Sequence, residues 1–241
     1  MLREKRIRDE EGLFAAEGTK LCLEALSAGV TPMWALVSET ASEKFVEAVA
    51  EIEQNCAVTV VSDDVYSYLS EQKSPQGIFL AGQILDKSVN LDRILSSDKI
   101  LLLDCVQDSG NLGTMLRTAE ALGIGGVVLG EGCADIWSPK TLRASMGSVF
   151  RLPACVMDTA RAVTAAREKG FAVYAAMLDE TAQKLGSFEF PEKTAVVVGN
   201  EGHGVSVEVA ELCQKVYIPI SGAESLNAAA AAAILCWELS K

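Results

Sequence analysis

Short apolar runs without polar alternation recur through the second half of this chain, separated by turns and by stretches of helical apolar spacing. Ile100–Cys105, Gly125–Leu129, Phe171–Ala176, Ala195–Gly199 and Val216–Ile220 all have strand length. A strand that is apolar on both faces has to be covered on both faces. Such strands alternating with helices predict an α/β fold with a mostly parallel sheet. The helices expected between them are Leu112–Leu122, Thr159–Lys169 and Val207–Gln214, with a final one at Ala228–Leu239. Ligands of such a sheet bind where loops leave the carboxyl ends of the strands.

The first 84 residues carry a smaller version of the same pattern. A helix is expected over Leu13–Ala28, stopping at Gly29, followed by a strand at Met33–Ser38 and a helix over Ser42–Gln54 with Phe45, Val46, Val49 and Ile52 on one side. Ala57–Val61 and Gly77–Ile84 are strand-like, and Asp63–Leu69 is a short helix opened by acidic residues. The segment Leu85–Asp98 mixes Asp, Ser and Lys and is expected to be a linker with a turn of helix. The reading is therefore a small α/β domain over 1–84, a linker over 85–98 and a larger α/β domain over 99–241.

Composition removes several function classes. With 49% hydrophobic residues the chain can build a core, so wholesale disorder is excluded. No apolar run reaches the ~20 residues of a membrane-spanning helix, and no apolar segment follows the charged start, so a cytoplasmic protein is expected. The seven cysteines contain no CxxC pair and fit buried free thiols. One histidine, His203, excludes a multi-histidine metal site, and no metal is expected. A net charge of −12 argues against coating nucleic acid nonspecifically, and neither half of the chain is basic. Any RNA contact must come from local clusters, the densest being Arg3, Lys5, Arg6 and Arg8.

Three segments break the packing pattern, and each follows a strand. In Asp104–Gly123, Asn111 is placed to cap a helix and Gly123 to end it; Arg117 projects away from the stripe of Leu112, Met115, Leu116, Ala119 and Leu122. A long guanidinium among small neighbours has room to reach a phosphate or a partner surface. In Val196–Ser206 a glycine-rich turn lets backbone N–H groups approach a ligand, without the spacing of a P-loop. In Ile218–Trp237, Ser225 or Asn227 can cap a helix whose run Ala228–Ala233 has almost no side-chain bulk.

Taken in order, these segments resemble the three motifs of the SpoU family of RNA ribose 2′-O-methyltransferases, in the SPOUT superfamily. The first matches at Asn111, Gly113, Arg117, Thr118, Ala119, Ala121 and Gly123; the second at Gly199, Asn200, Glu201, Gly202 and Gly204; the third at Ile218, Pro219, Gly222, Glu224, Ser225, Leu226 and Asn227. The segment 138–153 and the N-terminal residues around Phe14, Glu17 and Gly18 are similar to family segments too. Two departures stand out: Ser109 follows Asp108 where the family usually has proline, and the loop from Gly222 to Ser225 is about one residue short.

The resemblance implies an N-terminal RNA-binding domain and a C-terminal domain tied in a trefoil knot, a topology that periodicity cannot show. It implies S-adenosyl-L-methionine as cofactor, held through the backbone at Gly199, Ile218 and Leu226. It implies catalytic roles for Arg117, Asn111, Glu201, Ser225 and Asn227, with Glu201 holding either Arg117 or the loop. It also implies a homodimer acting on structured RNA, ribosomal RNA before transfer RNA. A binding protein that has lost catalysis is the alternative from another class.

Overall fold

The computed structural model describes residues 2–85, 90–222 and 224–241. In chain order it runs α1 (Lys5–Glu11), β1 (Leu13–Glu17), α2 (Thr19–Ser27), β2 (Pro32–Ser38), α3 (Glu39–Lys44), α4 (Val46–Glu53), β3 (Ala57–Val61), α5 (Asp63–Leu69) and β4 (Ile78–Gln83). Next come α6 (Asn90–Leu95), β5 (Lys99–Leu103), α7 (Ser109–Ala121), β6 (Gly126–Leu129), α8 (Pro139–Ser145), α9 (Ser148–Arg151) and β7 (Ala154–Val156). The chain finishes with α10 (Thr159–Glu168), β8 (Ala172–Ala176), β9 (Gln183–Lys184), β10 (Thr194–Val198), α11 (Val207–Glu211), β11 (Gln214–Tyr217) and α12 (Ala228–Leu239).

These elements form two compact units: Met1–Leu85 with Asp135–Arg151, and Asp86–Ala134 with Leu152–Lys241. In the first, a four-stranded sheet has the order β1-β4-β2-β3, antiparallel except for the β2–β3 pair. Here the expected helix over Leu13–Ala28 fails. Gly18, at φ 108°, divides it into strand β1 and helix α2, a backbone angle that favours glycine. Leu13–Glu17 pairs with β4, and Phe14 is buried in a stack with Trp137 at 5.1 Å between ring centroids and Phe150 at 5.4 Å. The expected helix over Ser42–Gln54 is likewise two, broken at Phe45, whose φ of −116° and ψ of 45° are not helical.

Segment 135–151 thus folds with the N-terminal residues. Arg8, only 2% exposed, donates to Asp135 Oδ2 through Nε at 3.2 Å and through Nη2, and to the carbonyls of Leu2 and Arg3. Arg151 pairs with Glu24 in the same unit. Three arginines of the densest basic cluster are paired: Arg3 with Glu71, Arg6 with Glu10, and Arg8 with Asp135.

The second unit holds a seven-stranded, wholly parallel sheet in the order β7-β6-β5-β10-β8-β11-β9. Every residue of β10 and β6 is buried, as their unbroken apolar runs require. α10 and α6 help to bury the face carrying Ile100, Leu102, Val128, Val173 and Val197, while α12 packs on α7 and β10. The turn of helix expected in the linker is α6, and Ile94 and Leu95 lie in this core; residues 86–89 of that linker lie outside the described residues.

Candidate active site

Three loops leave the carboxyl ends of β5, β10 and β11, and their side chains meet. Glu201, in the loop after β10, accepts hydrogen bonds from the backbone N–H groups of Gln107 (3.3 Å) and Asp108 (3.2 Å) and from Asn111 Nδ2 (2.9 Å). Asn111 Oδ1 in turn accepts from Asn227 Nδ2 at 3.0 Å. Asn227 Oδ1 accepts from the N–H groups of Ala229 (2.9 Å) and Ala230 (3.2 Å), capping α12. The chain Glu201–Asn111–Asn227 thus joins the loop after β10 to the first turn of α7 and the cap of α12.

Burial alone would raise the Glu201 carboxyl, but the hydrogen bonds from Asn111 and the backbone outweigh it and hold the pKa below the ordinary carboxylate value. The group stays ionised, so it is an acceptor to all three donors. Glu201 therefore holds the first loop. It does not hold Arg117, which is exposed on α7 without an ion pair or hydrogen bond among the described residues. Arg117 stands six residues beyond Asn111, about 9 Å along the helix axis at 1.5 Å per residue.

The loop after β10 is closed by a tight hairpin in which Asn200 and Gly204 exchange both backbone hydrogen bonds at 2.9 Å. Asn200 also works through its side chain, accepting from Gly202 N–H at 2.9 Å and His203 N–H at 3.2 Å, and donating to the Cys105 carbonyl at 2.9 Å. A Cβ added at Gly199 would lie 2.1 Å from the Gly204 carbonyl carbon and 2.2 Å from Val205 N. Glycine is therefore required there by the loop's own backbone.

A cavity of about 360 Å³ opens between the loops after β10 and β11 and the end of β8. Gly199, Glu201, Ile218, Ser225 and Leu226 border it, so five of the expected site residues share one space. Its size falls in the ~300–1,000 Å³ of small-ligand sites. Gly199, Gly202 and Gly204 bring loop backbone to the cavity at the strand ends, which suits a ligand recognised through main-chain groups, as the resemblance implies for the cofactor.

Sequence reasoning missed some of the framework. Asp108, not Asn111, caps α7, accepting from Asn111 N–H at 2.8 Å. Asp104, 4% exposed, accepts from Ser206 N–H at 2.7 Å and so ties the first loop to the end of the second. An acid closing an otherwise apolar strand was the available signal for Asp104.

A model of the SpoU rRNA methylase family matches residues 98–237. The chain belongs to that family. Residues 1–80 match a model of the MRM3-like substrate-binding domain. A Bacillus subtilis protein named 23S rRNA (guanosine(2553)-2′-O)-methyltransferase RlmP is 36% identical over 243 residues, which cover 99% of this chain and 92% of that protein. An rRNA methyltransferase from Sinorhizobium meliloti, solved with AdoMet bound, superposes with a TM-score of 0.87 at 30% identity over 99% of this chain and 90% of that one. The SpoU methyltransferase AviRb from Streptomyces viridochromogenes, also solved with AdoMet, gives 0.86 at 27% identity over 99% and 93%. The two-part α/β fold expected from the motifs is thus the one shared with SPOUT methyltransferases. Among the described residues no helix is long and apolar enough to cross a membrane, and no group of three or more His, Cys, Asp or Glu residues is placed to hold a metal ion.

Proposed function

We propose that the chain transfers the methyl group of S-adenosylmethionine to a ribose 2′-hydroxyl of ribosomal RNA, in the cytoplasm and as a homodimer. The observation that carries this reading is the Glu201–Asn111–Asn227 chain of hydrogen bonds beside a cavity edged by Gly199, Ile218 and Leu226. Family membership and AdoMet-bound neighbours support it. When bound, the cofactor supplies an electrophilic methyl group on a sulfonium.

The protein's own task is placement. Gly199, Ile218 and Leu226 hold the cofactor through their backbone, and Ser225 beside them faces the substrate. Asn111 and Asn227 orient the ribose, while Glu201 fixes Asn111. Aligning the hydroxyl with the methyl group is worth about 7–11 kcal/mol in well-oriented systems. Arg117 binds the neighbouring phosphate through its guanidinium and polarises the hydroxyl as its proton leaves to water.

Arg117 works across a dimer. α12 packs on α7 of its own chain and leaves Ile234 (37% exposed) and Trp237 (56% exposed) outward. That outward apolar face is where a second copy docks, bringing its Arg117 to this cavity. The trefoil knot belongs to the same reading.

The test incubates the full chain and methyl-labelled S-adenosylmethionine with ribosomal RNA from cells lacking the gene, then maps ribose methylation. One labelled 2′-position is expected. Cofactor binding without label on any RNA would instead favour a binding protein that has lost catalysis.

A further inference from the structure

The first unit contains a second cavity, of about 210 Å³, bordered by Glu17, Lys20, Gln72, Gln76, Arg143 and Met146. Glu17 ends β1 at only 6% exposure, and its carboxylate accepts a hydrogen bond from the Ser70 hydroxyl through Oε1. Arg143, on α8, borders the same space without an ion pair to Glu17. Its Nη1 is sealed from solvent and has no hydrogen-bond partner among the described residues. Native proteins rarely leave a buried donor orphaned unless it serves a purpose. Here a carboxylate and a guanidinium share a small chamber and do not satisfy each other.

We propose that this chamber receives one unpaired guanine base of the substrate RNA. The proposal rests on reading the substrate as RNA. Lys20 and Arg143 would attract a phosphate, but the buried Glu17 carboxylate faces the same space and can be satisfied only by a donor, which a phosphate does not offer. The occupant must offer donors to the carboxylate and acceptors to the guanidinium while remaining neutral. Guanine does both, with N1–H and the N2 amine on one edge and O6 and N7 on the other. The volume lies below the ~300–1,000 Å³ of whole small-molecule sites, which leaves room for a base without its own phosphates. Met146, 40% exposed at the rim, supplies a polarisable apolar surface against the ring. Gln72 and Gln76 border the chamber as further polar groups, and Gln76 Oε1 is already fixed by Thr19 N–H at 2.9 Å.

The test uses the full wild-type chain and single-stranded pentanucleotides, U-U-X-U-U, with X as guanine, inosine, 7-deazaguanine or adenine, read by fluorescence anisotropy. Guanine should bind at least about fivefold more tightly than inosine, which lacks the N2 amine, and than 7-deazaguanine, which lacks N7. Adenine should bind more weakly than either. Glu17→Gln should abolish the guanine-over-inosine preference, and Arg143→Met the guanine-over-7-deazaguanine preference. Equal binding of all four pentanucleotides by the wild-type chain overturns the proposal, whatever the variants do. A parallel S-adenosylmethionine titration and rRNA methylation assay report on the methyl-transfer reading separately, so either can fail alone.

Discussion

Glu201 shows how a single exposed carboxylate can organise a site. Its three donors come from Gln107, Asp108 and Asn111, so one residue fixes the entry to α7 and the orientation of the Asn111 amide. Because its pKa in the folded protein is lowered, its contribution is fully present above the ordinary value of 4.5 and is lost as pH falls through the lowered one. Cofactor affinity should therefore stay flat from pH 7 to about 4.5 and fall only below that. Glu201→Gln keeps the acceptor oxygen but removes the charge. It should bind more weakly at pH 7 and lose the acid-side fall, as calorimetry carried from pH 7 to below about 4.5 would show. A wild-type profile that falls between pH 7 and 5 would mean another group controls the loop. The motif singled out Glu201, yet its partner was not legible. Sequence left Arg117 and the loop as alternatives, and only the fold brings residue 201 beside residues 107–111.

At the level of elements, legibility followed burial on both faces. β5, β6 and β10 read directly from unbroken apolar runs, and the stripe of α7 read from Leu112, Met115, Leu116 and Ala119, all fully buried. β1 did not, because LFAAE satisfies helical and extended spacing alike, and pairing with β4, some 65 residues away, decides between them. α8 and α9 gave no clean period because Thr141, Ser145 and Ser148 are buried polar residues whose environment comes from the fold. The loop after β10 is the element most exposed to substitution. A valine at position 199 meets backbone rather than cofactor, and the Asn200–Gly204 hairpin must open to admit it. Gly199→Val should lower S-adenosylmethionine affinity more than tenfold, a loss above ~1.4 kcal/mol, and Gly199→Ala should show much of the same loss. Undiminished affinity in either variant, measured by calorimetry, would remove this loop from the cofactor site. The Arg8–Asp135 pair plays a comparable part in the first unit. Arg8→Met leaves a largely buried carboxylate unpaired, at a cost of about 3 kcal/mol in urea unfolding. Adding Asp135→Asn should restore part of that, and additive losses would refute the coupling.

For the whole molecule, the two-unit division changes what can be removed. Deleting residues 1–84 would strip Phe14 from Trp137 and Phe150 and leave Asp135 without Arg8, so that truncation exposes apolar surface instead of isolating a methyltransferase domain. The engaged basic cluster also limits phosphate contacts. RNA affinity should depend only modestly on salt, with a slope of about −0.7 to −0.9 per contact and few contacts. The proposed dimer carries the larger consequence, because Arg117 is solvent-exposed about 9 Å along α7 from Asn111, and in the proposed mechanism it serves a second copy. That arrangement is testable with two inactive proteins. Arg117→Ala should fold, melt and bind cofactor like the wild type, yet lose most methyl transfer. Glu201→Ala should lose it through the loop. Mixed in equal amounts and allowed to exchange subunits, half the dimers become hybrids. In each hybrid one cavity has its own Glu201 and receives Arg117 from the other chain. Activity should then return to about a quarter of the wild-type level. If sedimentation shows exchanged dimers and the mixture stays inactive, Arg117 acts within its own chain, and the shared site is wrong.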